Sequence, residues 1–322
     1  MQQIAGFVPV QATSVRPLVE RASTGREATV DVYSPTARAA NDVLSPAHVR
    51  AFRSAPPTGT RPYYDAKADA ADRAAYYGGL ETEAAQLDPK ALFDRLSDLV
   101  TKTHTTVLDY SPSSELYPVV DRHPDGKLHS IYTVQSGVSC DVSKHASRAQ
   151  SVATAAAGSG PAFLAAVSAA DEFNCEHVVP QSWFDKKLPM RGDLHHLFAC
   201  DPGCNSLRGS YPYSDEPDSG SACGTVSAGK DGFEPATGKG PVARATLYFL
   251  LRYPGQVGDE PGEYSAEDIK TLLEWSKNDP VGEYEQHRNA EIFRKQGNRN
   301  PLIDHPEWSE RIDFTRGLGH RR

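Results

Sequence analysis

Residues 171–213 hold the side chains whose types and spacing could do chemistry together. Glu176 and His177 are adjacent, and Asn205 follows His177 by 28 positions. Four further features lie in the same window: His195, His196, a Cys200/Cys204 pair and Arg208. Hydrolysis of a phosphodiester needs a general base for water, a hard cation held by oxygen ligands, and positive charge near the phosphate. The window supplies residue types for all three.

Three short elements are expected to position these side chains. Residues 173–179 are rich in apolar and β-prone types, and residues 194–200 form a second short apolar run. Asp201 is a typical N-cap residue and Pro202 suits the first helical position, which places Asn205 on the helix that follows. The window therefore predicts two strands followed by a helix.

This strand–strand–helix unit would hold a divalent cation between Glu176 and Asn205, with His177 facing the same gap. Carboxylate and amide oxygens suit Mg²⁺, Ca²⁺ or Mn²⁺ better than zinc. An imidazole near its reference pKa of about 6.5 is neutral enough at neutral pH to accept a proton from water. We therefore expect activity to fall on the acid side as His177 becomes protonated.

A structural zinc site is an alternative use of the same window. Four side chains have ligand types for zinc: His195, His196, Cys200 and Cys204. Their spacing disfavours this alternative, because structural zinc sites usually pair closely spaced ligands at both ends of a loop. The alternative would make the protein a zinc-stapled interaction domain.

The window resembles the bacterial Endonuclease I family, whose core is the ββα-metal, or His-Me, finger. That family reads Asn-Arg-Glu-His-x-x-Pro, then Asp-Leu-His-His/Asn-Leu, then Val-Asn-x-x-Arg-Gly-Asn. The corresponding stretches here are NCEHVVP (174–180), DLHHL (193–197) and CNSLRGS (204–210). Residues 239–253 look like the family's connecting helix, and residues 279–308 match a further block. The resemblance extends from Tyr76 to about Ile312.

The resemblance implies roles residue by residue. His177 would be the general base that activates water, and Glu176 and Asn205 would ligate one divalent cation, Mg²⁺ with Ca²⁺ or Mn²⁺ as alternatives. The family cleaves DNA, and often RNA, with little sequence preference, so the expected partner is DNA, RNA or both. Six residues are candidates for phosphate contacts or for supporting the site: Asn174, Asp193, His195, His196, Arg208 and Arg299.

Two departures from the family pattern keep another function open. Cys175 replaces the usual Arg, and Ser210 replaces the usual Asn. A non-catalytic nucleic-acid-binding domain that kept the fold is therefore an alternative. Some members carry a long insert with a phosphate-contacting Arg, where this chain has only residues 181–192. The basic residues in that stretch are Lys186, Lys187 and Arg191, and no motif match chooses among them.

The expected fold class is α+β, a mostly helical domain around a small ββα-metal finger. We expect a flexible leader or pro-segment over residues 1–73, an Endonuclease I-like catalytic domain over residues 74–315, and a basic tail over residues 316–322. The leader is rich in Ala, Pro, Ser, Thr and Arg and lacks clear periodicity. No apolar segment follows Met1, so a conventional signal peptide is not visible.

Capping residues predict the ends of several helices. Asp88 and Pro89 are typical of a helix start, and Ser265 with Asp268 resembles a capping box. Gly297 looks like the C-terminal stop of a helix over about residues 283–296.

Composition indicates a soluble protein with no membrane segment. Hydrophobic residues make up 39% of the chain and charged residues 24%, and no apolar run approaches a membrane span. The net charge of −8 fits a polyanion partner poorly, but the acidity is uneven, so the binding face could be locally positive. We expect a monomer.

The cysteines bear on the cellular compartment. There are five, so pairing within one chain cannot be complete. Cys200 and Cys204 are close enough for a local disulfide before Asn205, and Cys175 could pair with Cys140, which would leave Cys223 free. Disulfides would fit an extracellular or periplasmic protein, and reduced cysteines in a cytoplasmic protein are the alternative.

Overall fold

Helices and three short two-stranded sheets build the part of the chain that the computed structural model describes, residues 61–133, 139–141 and 173–320. The fold class is mixed α+β with helices predominating, as expected. The helices are α1 Ala66–Tyr77, α2 Leu80–Ala84, α3 Pro89–Thr103, α4 Pro112–Glu115, α5 Pro202–Arg208, α6 Lys239–Arg252, α7 Ala266–Asn278, α8 Glu283–Gln296 and α9 Pro301–Asp304. Short 3₁₀ helices cover Met190–Gly192, Leu194–His196, Pro306–Arg311 and Phe314–Gly317.

Each sheet is one antiparallel pair of strands. The strands are β1 Lys127–His129, β2 Ser139–Asp141, β3 Asn174–His177, β4 Leu197–Cys200, β5 Gly224–Val226 and β6 Phe233–Pro235. They pair in the order β1 with β2, β3 with β4 and β5 with β6. With strands this short, packing against helices has to stabilise the sheets.

Helix α6 is the centre of the described core. Every residue from Val242 to Leu251 is buried, so this helix is covered on all sides, mainly by α3 and α7. Its one charged residue in that span, Arg244, is fully buried and is neutralised by Glu285, with 2.6 Å between Nη2 and Oε2. That ion pair joins α6 to α8, because buried charges persist only when they are paired.

Local capping signals are confirmed at the predicted positions. The side chain of Asp88 accepts two backbone N–H groups at 2.9 Å, with Pro89 in the first turn of α3. Ser265 and Asp268 form a complete capping box at the start of α7. Gly297 ends α8 in the left-handed region, with φ 92°. These signals act within a few residues, which is why the sequence alone reveals them.

Described elements extend across both predicted domain boundaries. The expected leader ends at residue 73, but α1 begins at Ala66, and its buried Asp69 forms an ion pair with Arg299. At the other end, Gly319 donates a backbone hydrogen bond to Val257, so the expected tail packs on the domain to that point. Residues 1–60 of the expected leader lie outside the described residues. No helix in the described part is long and apolar enough to cross a membrane.

Candidate active site

The hairpin of β3 and β4, followed directly by α5, carries the predicted site residues. The strands pair antiparallel, with Glu176 opposite Phe198 and His177 opposite Leu197. Asp201 links β4 to α5 as an N-cap, its carboxylate accepting the Cys204 N–H at 2.9 Å. The predicted order of two strands and a helix is therefore present, although the strands are shorter than expected.

Glu176 and His177 project from opposite faces of this hairpin, because side chains alternate along a strand. Glu176 lies on the face that α5 covers, where its carboxylate meets Arg208. His177 lies on the other face, with its ring centroid 5.0 Å from that of Tyr110. The expectation that His177 faces the same gap as Glu176 and Asn205 stays a prediction, with the two side chains leaving adjacent positions at the end of β3. The candidate site spans both faces at the end of β3.

The carboxylate of Glu176 is buried and held by two groups through one oxygen. Tyr132 donates its hydroxyl to Oε1 at 2.7 Å, and Nη1 of Arg208 lies 3.1 Å from the same oxygen. Burial raises the pKa of Glu176, and the positive charge of Arg208 opposes that rise. Since both contacts use Oε1, the other carboxylate oxygen, Oε2, is the one that they leave for a cation.

Arg208 supports the strand and does not extend toward a substrate. Its side chain is 1% exposed, and its guanidinium also donates to the backbone carbonyl oxygens of His177 at 3.2 Å and Val178 at 2.7 Å. A guanidinium committed to a carboxylate and two carbonyl oxygens has little capacity left for a phosphate. Of the two predicted roles for Arg208, the geometry favours supporting the site.

Asn205 and Asn174 complete the Glu176 face. The amide Nδ2 of Asn205 donates to Oδ1 of Asn174 at 2.8 Å, and Asn205 is half-buried. This bond leaves the Oδ1 of Asn205 as an oxygen ligand. A carboxylate oxygen and an amide oxygen form a donor set for a hard cation such as Mg²⁺, and they suit zinc poorly. The residues present therefore fit the cation that the sequence predicts.

His177 is held in one tautomer. Its Nε2 lies 3.1 Å from the carbonyl oxygen of Arg191, and a carbonyl can only accept, so Nε2 carries the hydrogen and Nδ1 keeps a lone pair. The side chain is buried, and burial lowers the pKa of His177 to about 3, with the neighbouring His196 acting in the same direction. The imidazole is therefore neutral at neutral pH and stays neutral well below the reference pKa of about 6.5.

The segment just before β4 packs in the interior through three buried polar residues, Asp193, His195 and His196. Asp193 is fully buried and accepts hydrogen bonds from the hydroxyls of Tyr248 at 2.8 Å and Tyr253 at 2.9 Å. The rings of His195 and His196 are buried, and each Nε2 meets a backbone carbonyl oxygen, at 3.4 Å and 2.6 Å respectively. Their contacts are those of packing residues.

Arg299 is not available to a phosphate. It is fully buried, with Nη2 at 2.8 Å from Asp69 and Nε at 2.7 Å from Asp304. Two carboxylates neutralise its charge and tie α1 to α9. The sequence placed Arg299 among the candidates for a phosphate contact because it lies in a matching block, and that contact is excluded by its burial.

The cysteine pairing differs from the prediction. Cys204 is bonded to Cys223, 19 positions later, whereas Cys175 and Cys200 are free thiols. The predicted Cys200–Cys204 bridge is wrong, because Cys200 points into the core from the end of β4, where it meets the hydroxyl of Ser130. The expectation that Cys223 is free is wrong as well. The side chain of Cys140 lies outside the described residues.

This pairing also excludes the zinc-stapled alternative. The thiol of Cys204, one of its four expected ligands, is consumed by the disulfide. Within the described residues, the only cluster of His, Cys, Asp or Glu ligand atoms close enough to share an ion is Asp201 with Cys204 and Cys223. Two of those three side chains are bonded to each other, so no tetrahedral zinc site forms there.

Of the three basic residues in the short insert, Arg191 packs against the tyrosine that flanks His177. Its guanidinium carbon lies 4.8 Å from the ring centroid of Tyr110, which in turn flanks His177. Lys186 and Lys187 precede Arg191 in the loop and are exposed. Arg191 therefore brings a half-buried positive charge close to the candidate base.

The sequence did not indicate that two tyrosines belong to the site. Tyr132 contacts Glu176, and Tyr110 packs beside His177. Strand β1 ends at His129, and Tyr132 lies in the turn that follows. Nothing in the local pattern separates either residue from an ordinary core tyrosine, because both act through contacts distant in sequence.

The sequence of this chain is similar to a known family and to several known proteins. The family model of Endonuclease I matches residues 90–307. An extracellular ribonuclease of Bacillus subtilis (strain 168) is 40% identical over 157 residues, covering 44% of this chain and 54% of the relative. A periplasmic deoxyribonuclease of Aeromonas hydrophila is 32% identical over 154 residues, covering 40% of this chain and 62% of the relative. An extracellular deoxyribonuclease of Aeromonas hydrophila is 30% identical over 159 residues, covering 42% of this chain and 67% of the relative.

The fold and the site define a mixed α+β domain whose β3–β4–α5 unit carries Glu176, His177 and Asn205. The chain belongs to the Endonuclease I family, which confirms the resemblance read from the motifs. It spans about half the length of the Bacillus subtilis relative, 54%. The relatives are named extracellular or periplasmic nucleases acting on RNA or DNA.

Proposed function

We propose that this protein is a metal-dependent endonuclease that hydrolyses phosphodiester bonds in DNA and RNA with little sequence preference. Membership of the Endonuclease I family and relatives named as nucleases support this proposal. The observation that carries it is the neutral, tautomerically fixed His177 in the same β3–β4–α5 unit as the side-chain oxygens of Glu176 and Asn205. In this proposal the β3–β4–α5 unit is the ββα-metal finger, and the protein acts outside the cytoplasm, as its relatives' names suggest.

His177 acts as the general base. Its Nδ1 accepts a proton from the attacking water, while Nε2 keeps its hydrogen on the carbonyl oxygen of Arg191. The anchoring carbonyl also stabilises the imidazolium that forms, because the Nε2–H donor becomes more positive. His177 therefore needs no carboxylate partner to stay oriented.

Glu176 and Asn205 hold a divalent cation, Mg²⁺ with Ca²⁺ or Mn²⁺ as alternatives. Oε2 of the carboxylate and Oδ1 of the amide are the oxygens left by the contacts with Arg208 and Asn174. When bound there, the cation supplies positive charge to the phosphate and the leaving 3′ oxygen. With only two protein ligands, its affinity is modest.

Arg191 is proposed to contact the phosphate from the His177 side. It is the basic residue of the insert whose guanidinium packs on Tyr110, and Tyr110 flanks His177. Replacing it with Ala should weaken nucleic-acid binding and reduce the salt dependence of the affinity, because one phosphate contact is lost. Lys187→Ala is the matched control, since Lys187 is exposed and paired with Asp185 at 3.0 Å.

One incubation tests the proposed function. The full chain is mixed with plasmid DNA and, separately, with RNA, each with Mg²⁺ and with EDTA. Cleavage of one or both substrates that requires the cation and is lost in Glu176→Gln supports the proposal. Binding without cleavage would contradict it and would favour the non-catalytic nucleic-acid-binding alternative, which the family departures at Cys175 and Ser210 motivate.

A further inference from the structure

A chain of buried hydroxyl groups leads to the carboxylate of Glu176. The hydroxyl of Tyr132 lies 2.7 Å from Oε1 of Glu176 and 2.6 Å from the hydroxyl of Tyr213. Both tyrosines are fully buried. An ionised carboxylate can only accept, so the single hydrogen of Tyr132 points to Glu176, and Tyr213 must donate to Tyr132. The hydrogen-bond chain therefore runs in one direction, toward the carboxylate.

The chain is rigid and stays protonated. Burial raises the pKa of Tyr132 well above its ordinary value, and it does the same for Tyr213. Arg208 contacts both ends of this chain. Its guanidinium carbon lies 5.0 Å from the ring centroid of Tyr213, and its Nη1 contacts Oε1 of Glu176. Hydrogen bonds in such a series strengthen one another in a low-dielectric interior.

We propose that Tyr132, supported by Tyr213, is a positioning residue for the divalent cation. By holding Oε1 of Glu176, it fixes the carboxylate plane so that Oε2 is presented toward Asn205. The inference rests on the proposed function, since it assigns a role toward the same cation. Groups that orient a metal-binding carboxylate typically change metal affinity strongly when they are removed, although they never touch the metal.

Titration of the full chain with Mn²⁺, followed by the electron paramagnetic resonance signal of free Mn²⁺, measures this role. In Tyr132→Phe the dissociation constant should rise by ~10–100-fold relative to the parent. Tyr213→Phe should show a smaller rise, because Tyr132 keeps its own bond to Glu176. The matched control is Tyr77→Phe, which removes a buried hydroxyl that donates to Asp304 at 2.7 Å, and its Mn²⁺ affinity should be unchanged.

The outcomes separate this inference from the proposed function. If the parent binds Mn²⁺ and Glu176→Gln does not, but Tyr132→Phe binds like the parent, then Tyr132 has only a structural role and the inference fails alone. If Glu176→Gln binds as tightly as the parent, the ligand assignment in the proposed function fails, and this inference falls with it. Should Tyr132→Phe fail to fold, a folded Tyr213→Phe with parental affinity would overturn the role of the hydroxyl chain.

Discussion

Glu176 and Arg208 form a buried ion pair, with 3.1 Å between Oε1 and Nη1 and side chains 2% and 1% exposed respectively. Arg208 follows the ligand candidate Asn205 by one helical turn and reaches back to the strand that carries the other ligand candidate. The pair therefore connects α5 to β3 directly beside the candidate cation site, so we expect its removal to affect stability and metal binding together.

Arg208→Ala should lower the free energy of unfolding by about 3–5 kcal/mol in EDTA, because it leaves the Glu176 carboxylate buried without its partner. Urea unfolding monitored by circular dichroism measures this. Arg95→Ala is the control, since its pair with Glu83 at 3.3 Å is exposed and should contribute about 1 kcal/mol or less. Equal losses in the two variants would contradict the supporting role of Arg208.

His177→Ala should lose activity by ~10²–10⁴-fold, the usual contribution of a general base. Mn²⁺ binding and nucleic-acid binding should persist, because Glu176 and Asn205 remain. His129→Ala, which changes a part-exposed histidine next to Asp125, is the control and should cleave plasmid at the parental rate. A near-parental rate in His177→Ala would mean that another group takes the proton.

The pH dependence should differ from that of a solvent-exposed histidine. Burial lowers the pKa of His177 to about 3. Since the neutral form is the base, and it is lost only as pH falls through that pKa, the His177 limb of kcat/KM should lie well below pH 6.5. This replaces the expectation of a limb near the reference value. Plasmid cleavage at saturating Mg²⁺ between pH 5 and pH 8 measures it, and a metal-independent limb near pH 6.5 would contradict the buried, neutral state.

Asn205→Ala should weaken metal binding and activity together, because Glu176 would be left as the single protein ligand of the pair. Cleavage rates measured over a series of Mg²⁺ concentrations should show a higher half-saturating concentration. Asn278→Ala removes an exposed asparagine at the end of α7 and should leave the curve unchanged. Parental cleavage by Asn205→Ala at limiting Mg²⁺ would remove Asn205 from the site.

The disulfide between Cys204 and Cys223 holds the helix that carries Asn205. A bridge across 19 positions stabilises the folded state by about 3 kcal/mol in the chain-entropy model. Reduction should therefore lower the thermal midpoint and reduce activity, and a Cys204→Ala/Cys223→Ala double variant should show no response to reductant. With two of the five cysteines in the bridge, alkylation under non-reducing conditions should label three at most, so five labels would exclude the bridge.

Several features of this protein could be read from local sequence. Asp201 as the N-cap of α5, Ser265 with Asp268 as a capping box and Gly297 as a helix stop were all predicted, because each signal depends on residues within one turn. The position of Asn205 on the helix after two strands was also predicted. The family followed from several separated blocks in the right order, a longer pattern that chance does not reproduce.

The long-range contacts were decided only by the tertiary structure. One partner of Arg299 is Asp69, 230 positions earlier, and one donor to Glu176 is Tyr132, 44 positions earlier. Cys204 pairs with Cys223 in preference to the nearer Cys200. Residue types specify which groups can pair, but burial and approach across the fold select the pairs that form. The sequence by itself therefore determined the candidate chemistry and the family of the protein. The roles of the supporting residues depended on packing, because the role of a buried charge or hydroxyl is set by the partner that the fold brings to it.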